Sequence, residues 1–116
     1  MPIGKGEQLK EGSEIAVLTI GAIAEEVAEQ IQKSATAEKY AHYDMRFLKP
    51  LDEEMLHHIF QNYKKVITVE EGAMGGLGSA IVEFATQHNY TIPLKIITLP
   101  DVFMGVMSRF TDLPIG

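Results

Sequence analysis

The chain has 116 residues, the size of a single domain, and is long enough to bury a core without a metal or a disulfide. Hydrophobic residues make up 46% and charged residues 22%, the balance of a folded globular protein. The net charge of −6 argues against nucleic-acid and membrane partners, and the absence of cysteine excludes disulfides and thiolate chemistry. No apolar run approaches the ~20 residues that span a bilayer, so we expect a cytoplasmic domain.

The first half of the chain predicts an arm, a strand, a helix and a second strand. Residues 1–12 are polar and contain three glycines, which favours a loose arm or hairpin. Residues 15–20 form a continuous apolar run, typical of a strand covered on both faces. Gly21 ends that strand, and apolar residues at every fourth position up to Ile31 predict a helix. Residues 40–47 alternate in polarity and predict the second strand.

The second half predicts two more helices and two more strands. Asp52 is a good N-cap for a helix that follows the second strand. Residues 65–69 predict a third strand, which leads into a glycine-rich loop at residues 72–78. Ser79 is the predicted N-cap of a third helix, and residues 93–99 predict a fourth strand.

Strands and helices therefore alternate along the chain, which is the order of an open α/β sheet with right-handed crossovers. Residues 101–116 are mixed in character and predict a partly helical end. No linker or internal repeat interrupts the pattern, so residues 1–116 are predicted to form one domain.

The glycine-rich loop occupies the place where open α/β sheets bind ligands, between a strand and a helix N-terminus. It nevertheless fails the known fingerprints, because Ile81 stands where a dinucleotide motif from Gly76 needs a glycine, and the loop has no lysine. We therefore favour a tight turn with close backbone packing over a nucleotide site. The glycines assigned to this packing role are Gly72, Gly75, Gly76 and Gly78.

Four charged residues lie near the predicted ends of two strands. Glu70 and Glu71 are adjacent on a strand, so their side chains point to opposite faces and cannot form a catalytic carboxylate pair. We expect one of them to form a structural ion pair with Arg46 or Lys49, with a general base as the less favoured alternative.

The histidines have no metal-binding spacing. His57 and His58 are adjacent, whereas a helical site needs a separation of three or four residues, and both are expected to be exposed. His42 and His88 are isolated in sequence, and no serine has the context of a nucleophile elbow. The residues themselves therefore predict no catalytic, cofactor-binding or metal-binding side chain.

Several segments resemble the C-terminal domain of the 1-deoxy-D-xylulose-5-phosphate synthase family. They are residues 1–6 (MPIGKG), 44–53 (DMRFLKPLDE), 68–79 (TVEEGAMGGLGS) and 99–103 (LPDVF). Order and spacing also match, so the resemblance covers the chain from residue 2 to about residue 103. Within the second and third segments, residues 46–52 (RFLKPLD) and 70–72 (EEG) are shared more loosely among transketolase C-terminal domains, including those of 2-oxoacid dehydrogenases.

This resemblance implies a parent transferase that joins pyruvate to glyceraldehyde 3-phosphate with loss of carbon dioxide, for isoprenoid and thiamine biosynthesis. In that family thiamine diphosphate and Mg²⁺ bind between the two preceding domains. For this chain the resemblance implies a three-layer fold, a mostly parallel five-stranded sheet with helices on both faces. It also implies no cofactor of its own, and a structural role in packing against the preceding domains and in assembling a homodimer. Alone, the chain is predicted to be inactive.

The chain departs from the family pattern at both of its ends. Residues 104–116 differ from the family's usual ending, and we treat them as a divergent tail. Because Met1 stands directly before the PIGKG motif, we expect a fragment cut at a domain boundary.

Two alternative functions stay open. One alternative is a free-standing regulatory module that binds a small anion at residues 72–78. The other is the C-terminal domain of a 2-oxoacid dehydrogenase that docks its acyltransferase, which the PIGKG motif disfavours.

Overall fold

A computed structural model describes residues 4–72 and 76–99. Gly75 and the predicted tail at residues 104–116, with the rest of the predicted partly helical end, lie outside the described residues. A short 3₁₀ turn (Ala37–Lys39) precedes the third strand. The strands and helices in chain order are β1 (Glu7–Lys10), β2 (Ile15–Thr19), α1 (Ile23–Lys33), β3 (Tyr40–Asp44), α2 (Glu53–Asn62), β4 (Lys65–Glu71), α3 (Leu77–Gln87) and β5 (Leu94–Leu99).

The five strands form one sheet in the order β1-β3-β2-β4-β5. Strands β2 to β5 are parallel to one another, and β1 is antiparallel to its neighbour β3. Helix α1 packs on one face of the sheet, whereas α2 and α3 pack on the other. The predicted three-layer, mostly parallel α/β fold is therefore confirmed. No helix in the described part of the chain is long and apolar enough to cross a bilayer.

Strand β2 is the centre of the core, and all five of its residues are buried. Ile15 and Val17 face α1, whereas Ala16 and Leu18 face α2 and α3. A central strand with apolar contacts on both faces requires an uninterrupted apolar run, which is the pattern from which this strand was predicted.

The N-cap of α2 is confirmed. One oxygen of Asp52, Oδ1, accepts a hydrogen bond from the backbone N–H of Met55 at 3.1 Å. The other oxygen, Oδ2, accepts one from the N–H of Gly6 at 2.9 Å, 46 residues earlier in the sequence. One carboxylate thus caps the helix and also attaches the N-terminal segment to it.

The N-terminal segment is not a loose arm. Within the predicted arm at residues 1–12, β1 forms the edge strand beside β3. The Lys10 ammonium donates hydrogen bonds to the carbonyl oxygens of Ala37, at 2.7 Å, and Tyr40, at 2.9 Å. These partners lie far along the chain, so the polar sequence of β1 does not itself indicate a strand.

Strand β3 is shorter than the predicted range of residues 40–47. It ends at Asp44, because Arg46 adopts a left-handed backbone conformation with φ of 63°, which cannot continue a strand. The predicted alternation holds as far as Met45, since Tyr43 and Met45 both join the core beneath α2 and α3.

Gly12 provides a test of how tightly the segment between β1 and β2 is packed. An added Cβ would lie 2.1 Å from the carbonyl carbon of Tyr40, and backbone atoms cannot move aside as a side chain can. We expect Gly12→Ala to lower the free energy of unfolding by about 2–3 kcal/mol in a urea titration. Glu11→Ala, at the exposed neighbouring position, is the control. Equal urea midpoints for the two variants would contradict this packing.

Candidate functional site

The carboxyl ends of the three central strands meet at one edge of the sheet. Thr19 at the end of β2 is paired with Asp44 of β3 on one side and with Val69 of β4 on the other. The glycine-rich loop leaves this edge at Gly72, and α3 begins at Leu77. This carboxyl edge is therefore the place where the fold would present a ligand site.

The Glu70 side chain occupies the N-terminus of α3. Its Oε1 accepts a hydrogen bond from the N–H of Leu77 and its Oε2 accepts one from the N–H of Gly78, each at 2.9 Å. Glu70 is only 4% exposed. A buried carboxylate is tolerated when its oxygens are hydrogen-bonded, and the partial positive charge of a helix N-terminus stabilises it further.

This carboxylate replaces the cap that the sequence predicts. The prediction that Ser79 is the N-cap is wrong, because α3 begins at Leu77 and Gly76 occupies the N-cap position. Gly76 has no side chain with which to cap the helix. The acceptor comes from a strand instead, seven and eight residues before the donors. Local sequence patterns identify caps within a helical turn, so they miss this one.

Two of the four glycines singled out from the sequence have a definite packing role. Gly76 has φ of 95°, a conformation that favours glycine. A Cβ at buried Gly78 would lie 2.6 Å from Cγ2 of Ile96, so the missing side chain lets α3 approach β5. Gly72 is exposed at the start of the loop, and Gly75 lies outside the described residues. At Gly76 and Gly78 the geometry agrees with the tight-turn interpretation.

The occupied helix N-terminus bears on the alternative of an anion site at residues 72–78. Phosphate groups bind helix N-termini through free backbone N–H groups. The N–H groups of Leu77 and Gly78 are already bonded to Glu70, so an anion would have to displace a buried carboxylate to reach them.

The predicted ion pair between Arg46 or Lys49 and Glu70 or Glu71 is wrong. Arg46 Nη2 instead pairs with Oε1 of Glu7, the first residue of β1. Lys49 is exposed, and Glu71 is partly buried at the end of β4. Glu70 is directed toward α3, so its carboxylate is stabilised by hydrogen bonds from backbone N–H groups and not by a cation.

A second buried polar contact lies on the α1 side of the sheet. Nε2 of His42 is 2.9 Å from Oγ1 of Thr19, and His42 is 1% exposed. Within the described residues, Nδ1 of His42 has no hydrogen-bond partner. An unpaired lone pair costs less than an unpaired N–H, which favours the neutral ring with its proton on Nε2. Burial lowers the pKa of His42 from 6.5 to about 4.

Comparison with known proteins shows to which family this chain belongs. The family model described as "Transketolase, C-terminal domain" matches residues 4–109. The 1-deoxy-D-xylulose-5-phosphate synthase of Bacteroides thetaiotaomicron is 45% identical over 118 residues, covering 97% of this chain and 18% of that protein. The synthase of Phocaeicola vulgatus is 50% identical over 105 residues, covering 88% of this chain and 17% of that protein. The chain thus spans less than a fifth of these relatives.

A solved structure described as "Split gene transketolase, inactive beta4 tetramer" matches with a TM-score of 0.77 and 30% identity, covering 95% of this chain and 37% of that one. The resemblance noted in the sequence and the fold it implies are both confirmed.

Replacing Glu70 tests the cap. Glu70→Gln keeps the size of the side chain but places an amide donor against a backbone N–H. We expect it to lower the free energy of unfolding by about 2 kcal/mol. The matched control is Glu71→Gln, the same substitution at the next residue, which bonds neither Leu77 nor Gly78. A destabilisation as large in the control as in Glu70→Gln would contradict the cap.

His42 predicts a pH dependence of stability. As the pH falls from 6.5 toward 4, the unfolded chain takes up a proton at His42 that the folded chain does not. The contribution of the neutral His42 to the free energy of unfolding is fully present above pH 6.5. By about pH 4 it has fallen by roughly 3 kcal/mol.

The variant His42→Gln, which does not titrate, should show a smaller loss than the wild type between these pH values in urea titrations. His58→Gln, at an exposed position, is the control and should match the wild type. Parallel stability curves for His42→Gln and the wild type would contradict a buried neutral His42.

Proposed function

Because the chain belongs to the family of transketolase C-terminal domains, we propose that it is the C-terminal domain of a 1-deoxy-D-xylulose-5-phosphate synthase. The observation that carries the proposal is the 45% identity to such a synthase over 97% of this chain. The proposed parent enzyme condenses pyruvate with glyceraldehyde 3-phosphate in the cytoplasm, with loss of carbon dioxide, for isoprenoid and thiamine biosynthesis. Thiamine diphosphate and Mg²⁺ are its cofactors.

Within that enzyme we assign this domain a role in assembly and not in chemistry. The diphosphate of the cofactor needs free donors, and the donors at the start of α3 are bonded to Glu70. Among the described residues, no three His, Asp or Glu side chains are grouped so that they could hold a metal. The described residues therefore do not fit the cofactor, which the proposal places between the preceding domains.

The carboxyl edge is the surface that we propose faces the preceding domains. Strand β1 runs antiparallel to β3, so the chain enters the fold at this edge. Gly4 lies beside Pro50 there, since an added Cβ would meet the Pro50 ring at 2.9 Å. Exposed Lys49 and Gly72 lie on the segments that follow β3 and β4 at the same edge.

We also propose that the parent enzyme is a homodimer and that this chain alone has no turnover. The split-gene transketolase that shares this fold is described as an inactive tetramer, which supports the second point alone. Decarboxylating pyruvate requires a bound thiamine cofactor and a dry cleft for the carbanion. The proposal places both outside this domain.

A chimaera tests the proposed function. The segment of the Bacteroides thetaiotaomicron synthase that aligns with this chain would be replaced by this chain. With pyruvate, glyceraldehyde 3-phosphate, thiamine diphosphate and Mg²⁺, the chimaera should release carbon dioxide at a rate within about tenfold of that synthase. The truncated synthase and this chain by itself should each give the rate of a blank.

Two outcomes would contradict the proposal. One is a folded chimaera no more active than the truncated synthase, while a chimaera carrying the C-terminal domain of a 2-oxoacid dehydrogenase is active. The other is turnover by this chain alone that survives further purification.

A further inference from the structure

Two histidines that are distant in sequence meet on the surface formed by α2 and the end of α3. His57 lies in the middle of α2, and His88 is the C-cap residue of α3. Their ring centroids are 4.4 Å apart, with the planes inclined at 79°. The predicted exposure is right for His58 but wrong for His57, which is partly buried because residues at the end of α3 cover it.

A third residue fixes the orientation of the His57 ring. Nδ1 of His57 is 2.6 Å from the hydroxyl oxygen of Tyr90, which also accepts a hydrogen bond from Gln61 Nε2 at 3.1 Å. Tyr90 is itself held by a stacked contact with Phe60, at a centroid distance of 5.1 Å and an angle of 11°. Because Nδ1 is engaged by Tyr90, Nε2 is the nitrogen of His57 that remains for another partner.

We propose that His57 and His88 form a binding site for a divalent transition-metal cation of the zinc, nickel and copper class. Neutral imidazole nitrogens are preferred ligands of these ions. A metal-bound histidine usually donates its other ring N–H to a fixed acceptor, and the Tyr90 hydroxyl is placed to accept from Nδ1 of His57. The cation binds Nε2 of His57 and one ring nitrogen of His88.

The spacing of the two rings fits a shared ion. With metal–nitrogen bonds of about 2.0–2.1 Å, two ligand nitrogens on one ion are about 3–3.5 Å apart. Rings with centroids 4.4 Å apart need only a side-chain rotation to reach this arrangement, and His88 is exposed at the end of its helix. No third His, Asp or Glu in the described part of the chain completes the site, so water fills the remaining positions.

The other two histidines differ in ways that make them useful for comparison. His42 is buried against Thr19 on the opposite side of the sheet. His58 is exposed on the same helix as His57 and contacts Asn62 through its ring. His58 is therefore the matched control, since it offers an accessible imidazole without a second ring beside it.

Calorimetric titration with ZnCl₂ tests the proposal on the chain without a histidine tag, near neutral pH in a buffer that does not bind metal. We expect one zinc ion per chain. His57→Phe and His88→Phe keep the aromatic packing but remove the ligand nitrogens, and each should weaken binding by at least ~10-fold. His58→Phe should leave the affinity unchanged. Tyr90→Phe removes only the orienting hydroxyl and should weaken binding by roughly 10-fold.

A measurement on the wild-type chain covers the case in which a variant fails to fold. In NMR spectra of the histidine rings, ZnCl₂ should shift the signals of His57 and His88 and leave those of His42 and His58 in place. Absence of zinc binding up to about 1 mM, or shifts confined to His58, would overturn the proposal. So would folded His57→Phe or His88→Phe variants with wild-type affinity. None of these outcomes depends on the function proposed for the domain.

Discussion

A single buried carboxylate, that of Glu70, joins the central sheet to α3 and determines what the carboxyl edge can do. Its two oxygens bind two successive N–H groups at the start of the helix, and each distance is 2.9 Å. The requirement to satisfy both oxygens fixes where the helix begins. It also explains the glycines around it, because Gly76 supplies the left-handed turn and Gly78 lets the helix approach β5. An internal contact thus accounts for the glycines at positions 76 and 78.

Open α/β sheets commonly use this position to bind phosphate groups, and here the protein's own carboxylate stands where a phosphate would. We propose that this edge contacts the preceding domains of the parent enzyme. The proposal that this edge faces the preceding domains is based on the course of β1, since the chain enters the fold at the same edge. The paired histidines lie elsewhere, on the surface formed by α2 and the end of α3.

The parts of the fold that depend on neighbouring residues could be predicted from the sequence. The apolar run at residues 15–20 indicated a central strand, and Asp52 indicated a helix start, because a few adjacent positions suffice for each. Contacts between distant segments could not be predicted. The polar strand β1 is held by carbonyl groups far along the chain, and α3 is capped by Glu70 and not by nearby Ser79. The pairing of His57 with His88 likewise has no local signal.

The central claim is that the Glu70 carboxylate, and not a ligand, occupies the N-terminus of α3. Amide NMR of the chain during titration with phosphate and then with thiamine diphosphate tests this claim most directly. We predict that the N–H signals of Leu77 and Gly78 exchange slowly with solvent and keep their positions at every ligand concentration. Rapid exchange of both amides, or shifts that saturate with either ligand, would show that the helix N-terminus is open and would contradict the claim.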